Sequence, residues 1–269
     1  MDIKIVDTTL RDGEQTPGLA FSAKDKERIA KMLDKAGIYQ IEAGIPAMDG
    51  EEKESVAKIS QLGLRSKVSA WNRLNINDIR HSTECRPDII HISAPSSDIQ
   101  IVSKMKRERN WVIENLKRCI CYAKEKGFEV TIGMEDASRA EIGFLLRLAE
   151  VAAHEGVRRV RYADTVGILH KQKVLSDISR IRSELGVDIE IHAHNDLGMA
   201  VANSIHAVRA GAEFVNCTIG GVGERTGNCN YLKFIECTKA CFSELRNFDL
   251  KHAEYAQEKI MEIINVKTH

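Results

Sequence analysis

The sequence predicts an α/β fold, a single (β/α)8 barrel with a short C-terminal helical extension. Three observations lead there. Eight short apolar runs of strand length recur along the 269 residues. Each is followed by a stretch with the 3.6-residue periodicity of an amphipathic helix. Glycines punctuate the helix ends, and no linker, repeat or low-complexity run divides the chain. Eight buried, parallel-type strands alternating with helices match a closed barrel. A doubly wound open sheet is the alternative. It needs a glycine-rich phosphate loop after its first strand, and the TTLRDGEQ that follows strand one is not one.

The elements follow in order. Strand one is 3–6 (IKIV), and the helix at 24–36 puts Ile29, Met32, Leu33 and Ala36 on one face before Gly37 stops it. Strand two, 38–43, precedes a helix at 50–62; strand three, 67–71, precedes one at 76–84. Strand four, 88–93, leads to a helix at 110–126, and strand five, 129–134, to one at 140–155. Strand six, 157–162, leads to a helix at 171–185, and strand seven, 187–193, to one at 197–210. Strand eight, 213–218, leads to a helix at 229–245, and 249–264 reads as one more helix. The domain reading is therefore a catalytic barrel over 1–248 and a helical remainder over 249–269.

Composition narrows the function. Lysine plus arginine number 39 and aspartate plus glutamate number 39, so no basic excess exists to neutralise nucleic-acid phosphates. No segment has the roughly 18 apolar residues of a membrane span, and the N-terminus lacks the pattern of a secretory signal. The seven cysteines are scattered without a Cys-x-x-Cys pair, which reads as reduced thiols in a cytoplasmic protein. Cys119 and Cys121 lie on a helix at a spacing that shares no face, so they read as structural.

In such a barrel the active site gathers at the C-terminal strand ends. Polar residues crowd there: Asp7, Arg11, Asp12 and Gln15 after strand one, Glu42 after two, Asn72 and Arg73 after three, His91 and Ser93 on four. Glu135 ends strand five, Thr165 follows six, His192 and His194 end seven, and Asn228 lies beyond eight. His192 and His194, two apart on a strand, project to the same side and form a metal half-site, or else two histidines satisfied by polar neighbours. Closure of the ring brings Asp12 and Asn228 near them. This mixed N/O set suits Zn²⁺, Mn²⁺, Fe²⁺ or Mg²⁺ without choosing among them. Arg11 fits an oxyanion stabiliser, or a salt bridge to Asp7 or Glu42. Glu135 fits a general acid or base, or a structural carboxylate held by Arg139. Thr165 fits a substrate-carboxylate donor, or a helix cap. The basic run 103–110 (SKMKRERN) reads as a solvated loop or helix start, with contact to coenzyme A phosphates as the functional alternative.

The motifs DTTLRDGEQTPG (7–18), IEAGIPA (41–47), EDASR (135–139), ADTVG (163–167), HAHNDLGMA (192–200) and GVGERTGN (221–228) resemble the signatures of the pyruvate-carboxylase-like, metal-dependent barrels. That family includes isopropylmalate, citramalate and homocitrate synthases and hydroxymethylglutaryl-CoA lyase. EAGIPAM, SAWNR and EDASRA are most similar to the nitrogen-fixation type of homocitrate synthase, which serves the nitrogenase iron-molybdenum cofactor. The resemblance implies a Claisen condensation of acetyl-CoA with a 2-oxo acid, 2-oxoglutarate for that type, followed by thioester hydrolysis. It implies Asp12, His192, His194 and Asn228 as ligands of a divalent metal, Arg11 and Glu135 as catalytic residues, and Arg11, Gln15 and Thr165 on substrate. Lysine-pathway homocitrate synthases hold the distal carboxylate with an arginine near the end of strand five. Here that stretch is VTIGMED, so Arg73 or Asn72 is expected to take the task. Synthases of this family continue into a further helical region, whereas this sequence stops at His269. The expectation is an amino-terminal subunit whose partner chain supplies the rest, in an oligomer. A lyase-like barrel active alone, a synthase for another 2-oxo acid and a non-catalytic metal-binding scaffold are the alternatives.

Overall fold

The computed structural model describes residues 3–239, 242 and 249–267. The predicted eight strands close into one parallel barrel in sequence order: β1 Lys4–Asp7, β2 Gln40–Gly44, β3 Lys67–Arg73, β4 Ile89–Pro95, β5 Glu129–Glu135, β6 Arg159–Asp164, β7 Asp188–Ala193 and β8 Phe214–Cys217. Closure is direct, with Ile5 of β1 opposite Val215 of β8. The predicted (β/α)8 fold is therefore the one the chain adopts.

The helices are α1 Ala23–Lys35, α2 Gly50–Ser60, α3 Ile76–Cys85, α4 Arg109–Glu125, α5 Ile142–His154, α6 Lys171–Leu185, α7 Ala200–Arg209, α8 Tyr231–Lys239 and α9 Leu250–Lys267. Helix α1 begins with a capping box, in which the Ser22 hydroxyl and the Asp25 carboxylate satisfy each other's backbone N–H. Helix α7 starts at Ala200, later than periodicity suggests, because the Asn195 side chain accepts the Ala200 N–H and holds 195–199 as a turn. The part of the predicted eighth helix beyond Lys239 lies outside the described residues, Phe242 excepted, and so does Cys241. The other six cysteines are free thiols. No described helix is long and apolar enough to cross a membrane.

The apolar core fills the space between barrel and helices, with Ile29, Leu33, Val56, Ile79, Leu116, Leu148 and Ile178 all buried. The barrel interior is different. Inward-facing positions there carry Gln40, Glu42, Arg159, Arg161, Glu190 and His192, all buried. Charge inside a barrel is tolerable only when paired, and this pairing fixes the site above it.

Candidate active site

The turn after β1 aims two residues inward. One carbonyl, that of Thr8, accepts the N–H groups of Arg11, Asp12 and Gly13 at 3.1, 2.9 and 3.0 Å, which curls the chain back over the barrel mouth. Across the ring, β7 presents His192 and His194 on the same side, as strand parity predicts. The His192 and His194 Nε2 atoms stand 3.0 Å apart. Asp12 Oδ2 lies 3.2 Å from the first and 3.5 Å from the second.

These distances test whether a metal fits. Donors about 2.1 Å from one ion stand about 3.0 Å apart at right angles and about 3.4 Å apart at tetrahedral angles. The three atoms match that spacing. Buried oxygens point the same way: Asp12 Oδ1 and Asn228 Oδ1 have no hydrogen-bond partner. Asn228 is paired with His194 in an antiparallel bridge and donates its amide to Val222 O at 3.1 Å. The glycines of the 221–228 loop allow this, because a Cβ on Gly223 would fall 2.2 Å from Asn228 Nδ2.

Tautomers follow from the surrounding network. Asn216 donates to Glu190 at 3.1 Å, so its oxygen is left to accept the His192 Nδ1–H at 2.9 Å. His192 Nε2 therefore presents a lone pair to the site, the usual device for orienting a ligand histidine. Burial lowers the His192 pKa, against the pull of Asp12. At His194, Arg225 donates to Nδ1 at 2.7 Å, while Glu224 Oε1 stands 3.8 Å from the same nitrogen. In that tautomer His194 Nε2 carries the proton and donates it toward the His192 Nε2 lone pair. Burial alone would raise the Asp12 carboxyl, but Arg11 and the two histidines outweigh it and hold it well below the usual range. Asp12 is thus an anion before any ligand arrives.

Arg11 is locked. Its guanidinium meets Glu42 Oε1 at 2.7 Å and Asp12 Oδ2 at 3.3 Å, over the Trp71 ring at 5.5 Å. The Glu42 salt bridge and the place at the mouth coexist, so the two readings of Arg11 were not exclusive. Glu42 also meets Arg161 at 2.6 Å, and Arg161 meets Glu190 at 2.6 Å. Burial would raise Glu42, yet Arg161 and Arg11 hold it well below the carboxylate range.

A cavity of about 160 Å³ opens on this set, lined by Arg11, Gln15, Trp71, His91, Glu135 and Thr165 among others. The Thr165 hydroxyl accepts the Asp136 N–H at 2.8 Å, tying two strand ends together rather than capping a helix. Arg139 pairs with Asp136 at 2.7 Å and leaves Glu135 alone. Glu135 accepts from Ser93 at 3.2 Å and from Gln100 at 2.6 Å. It also borders a second cavity of about 560 Å³, walled by Leu74, Ile76 and Trp111 and edged by Arg73, Lys104 and Arg118.

Two sequence-predicted residues lie elsewhere. Asn72 is buried on the outer face of β3, donating to Ala70 O and His91 O and accepting from Ser82. Arg73 is drawn outward by Asp78, with contacts of 2.6 and 3.0 Å, and reaches only the second cavity. Neither lines the first cavity, and Trp71 takes the inward position on that strand. Sequence reasoning missed Arg161, Glu190 and Gln100. The first two had a signal: Arg159/Arg161 and Glu190/His192/His194 repeat every second residue, the inward parity of their strands.

The family model described as HMGL-like matches residues 2–265. The chain belongs to the HMGL-like family. Among HMGL-like relatives it is 57% identical over 236 residues to the homocitrate synthase subunit alpha of Clostridium pasteurianum, covering 88% of each chain. It is 47% identical to 2-isopropylmalate synthase 2 of Caldanaerobacter subterraneus, over 84% of this chain but 59% of that one. The HMG-CoA lyase structure from Bacillus subtilis superposes with a TM-score of 0.85 over 98% of this chain and 94% of that one. At 17% identity this last likeness speaks for the fold alone.

Proposed function

We propose that this chain is the barrel subunit of a homocitrate synthase, condensing acetyl-CoA with 2-oxoglutarate and hydrolysing the thioester to homocitrate and CoA. The observation that carries the reading is a metal-donor set that opens, across Glu135, onto a second cavity suited to a thioester arm. The 57% identity to the Clostridium protein supports the substrate pair. Residues 1–248 are the catalytic unit and 249–269 the extension.

Asp12, His192 and His194 would hold a divalent ion, with Asn228 as the fourth donor, and that ion would supply Lewis-acid polarisation of the 2-oxo acid carbonyl. Arg11 faces the oxygen on which charge develops, and its lock on Glu42 means no reorganisation is needed as the charge forms. Thr165 and Gln15 contact the proximal carboxylate. With Asn72 and Arg73 turned away, His91 is the group that meets the distal end; its Nδ1 is engaged by the Thr131 hydroxyl at 2.9 Å, and the residue lines the cavity. Burial and the Arg161 charge push His91 well below the imidazole range, so it meets substrate as a neutral ring. Glu135 moves the proton of the acetyl methyl group, and the resulting carbon nucleophile attacks the 2-oxo carbon. Water then cleaves the thioester. The second cavity takes the pantetheine arm, and the cations at its edge, Lys104 among them, meet the phosphates, the alternative reading of the basic run.

The Clostridium relative is named as an alpha subunit, which supports a partner chain for this one. The product serves nitrogenase cofactor synthesis, in the cytoplasm, in an oligomer. The 47% identity to an isopropylmalate synthase favours a second reading, a branched 2-oxo acid as substrate. Thiol release from acetyl-CoA across a panel of 2-oxo acids, with and without the partner chain and with chelator, separates the readings. The expected result is turnover with 2-oxoglutarate that chelator abolishes and Mn²⁺ or Mg²⁺ restores. Turnover with 2-oxoisovalerate alone favours the second reading. No release under any condition would overturn both.

A further inference from the structure

Gln100 sits where the two cavities meet. It lies on a short π-helical segment, Ile99–Lys104, that follows β4 in the chain. Such segments are rare and concentrate at functional sites. Its backbone is pinned: the Ser97 hydroxyl accepts its N–H at 3.3 Å, and its carbonyl accepts the Met105 N–H at 2.9 Å. Ser97 is itself hydrogen-bonded to Asp136, the neighbour of Glu135. The side chain is 7% exposed. Its Nε2 donates to Glu135 Oε1 at 2.6 Å, while its Oε1 is buried without any partner. A buried amide oxygen left unpaired is costly, and folded proteins rarely keep one without a use. Gln100 also lines the second cavity.

We infer that Gln100 is a positioning residue with two contacts: its amide N–H holds the Glu135 carboxylate, and its unpaired carbonyl oxygen accepts an amide N–H from the arm of the thioester substrate. This inference rests on the reading of the second cavity as a thioester site. The chemistry fits the ligand class. In a pantetheine thioester the nearest amide N–H is two methylenes from sulfur. An oxygen one side chain away from the proton-transferring carboxylate is placed to register that amide while the acetyl methyl faces Glu135.

The test uses the full chain with Mn²⁺, and with the partner chain where turnover needs it. Gln100→Met keeps the length and removes both contacts. Three thioesters are compared: acetyl-CoA, S-acetyl-N-acetylcysteamine, which keeps one amide, and S-propyl thioacetate, which has none. For wild type, kcat/KM should favour the one-amide thioester over the amide-free one by about 10-fold, the scale of one hydrogen bond. In Gln100→Met that preference should vanish, kcat/KM for acetyl-CoA should drop about 10- to 100-fold, and the KM of the 2-oxo acid should stay within about twofold. Calorimetry should show acetyl-CoA binding weakened in the variant, whether or not the protein turns over. An equal preference in wild type and variant, or none in wild type, would overturn the inference while leaving the function standing. A wild-type protein that neither binds acetyl-CoA nor releases thiol would sink the functional reading and this inference with it.

Discussion

Asp7 ends β1 in full burial, beside the turn that carries Arg11 and Asp12. Burial raises its carboxyl from 3.8 to about 7, against hydrogen bonds from the Thr9 N–H and hydroxyl, with Glu42 adding to the rise. The folded chain therefore keeps a proton that the unfolded chain loses between pH 4 and 7. Stability contributed by this proton is complete below the unfolded value and is lost as pH rises through the folded one. A three-unit gap makes that loss on the order of 4 kcal/mol. Urea unfolding at pH 5 and pH 8 should show wild type weaker at pH 8, and Asp7→Asn should remove most of the difference. The site at this scale was partly legible. His192, His194, Asp12 and Arg11 fall where strand parity and the turn motif put them. Asn72 and Arg73 adjoin in the sequence but do not share a face of the barrel. Parity alone separates them, since Asn72 faces out with Ser82, and Arg73, past the barrel rim, follows the charge of Asp78.

At the scale of elements, α9 packs between α8 and α1. Ala253, Ala256, Ile260, Ile263 and Ile264 form its buried face, and Lys267 ties its end to Asp25 at 3.0 Å. Ile260→Ala should cost about 2–4 kcal/mol, because the neighbouring helices cannot collapse into the space. Thermal unfolding should report the loss. Periodicity made this helix visible in the sequence. Its partners were not visible, because helix amphipathicity says which face is buried and not against what.

The whole molecule is braced by a charge ladder along the barrel axis. It runs from Arg159 through Glu190, Arg161 and Glu42 to Arg11, with Arg159 also hydrogen-bonded to Gln40. Its members come from β6, β7, β2 and the turn after β1, and it ends at Arg11 beside Asp12. Arg161→Met should leave Glu42 and Glu190 buried without their shared partner and cost about 3–5 kcal/mol. Denaturant midpoints should fall accordingly, and Arg11, held by a Glu42 that has lost its second cation, should support a lower kcat. By itself the sequence determined the strands, the helices, the closed α/β architecture and the paired histidines, because period-2 and period-3.6 patterns and glycine stops are local. Tertiary structure decided the rest: which rim residues converge, that the ladder exists, and that Gln100 reaches Glu135 from 35 residues away. Those facts depend on strand register and ring closure, which bring distant residues together, and no local pattern in the chain encodes that distance.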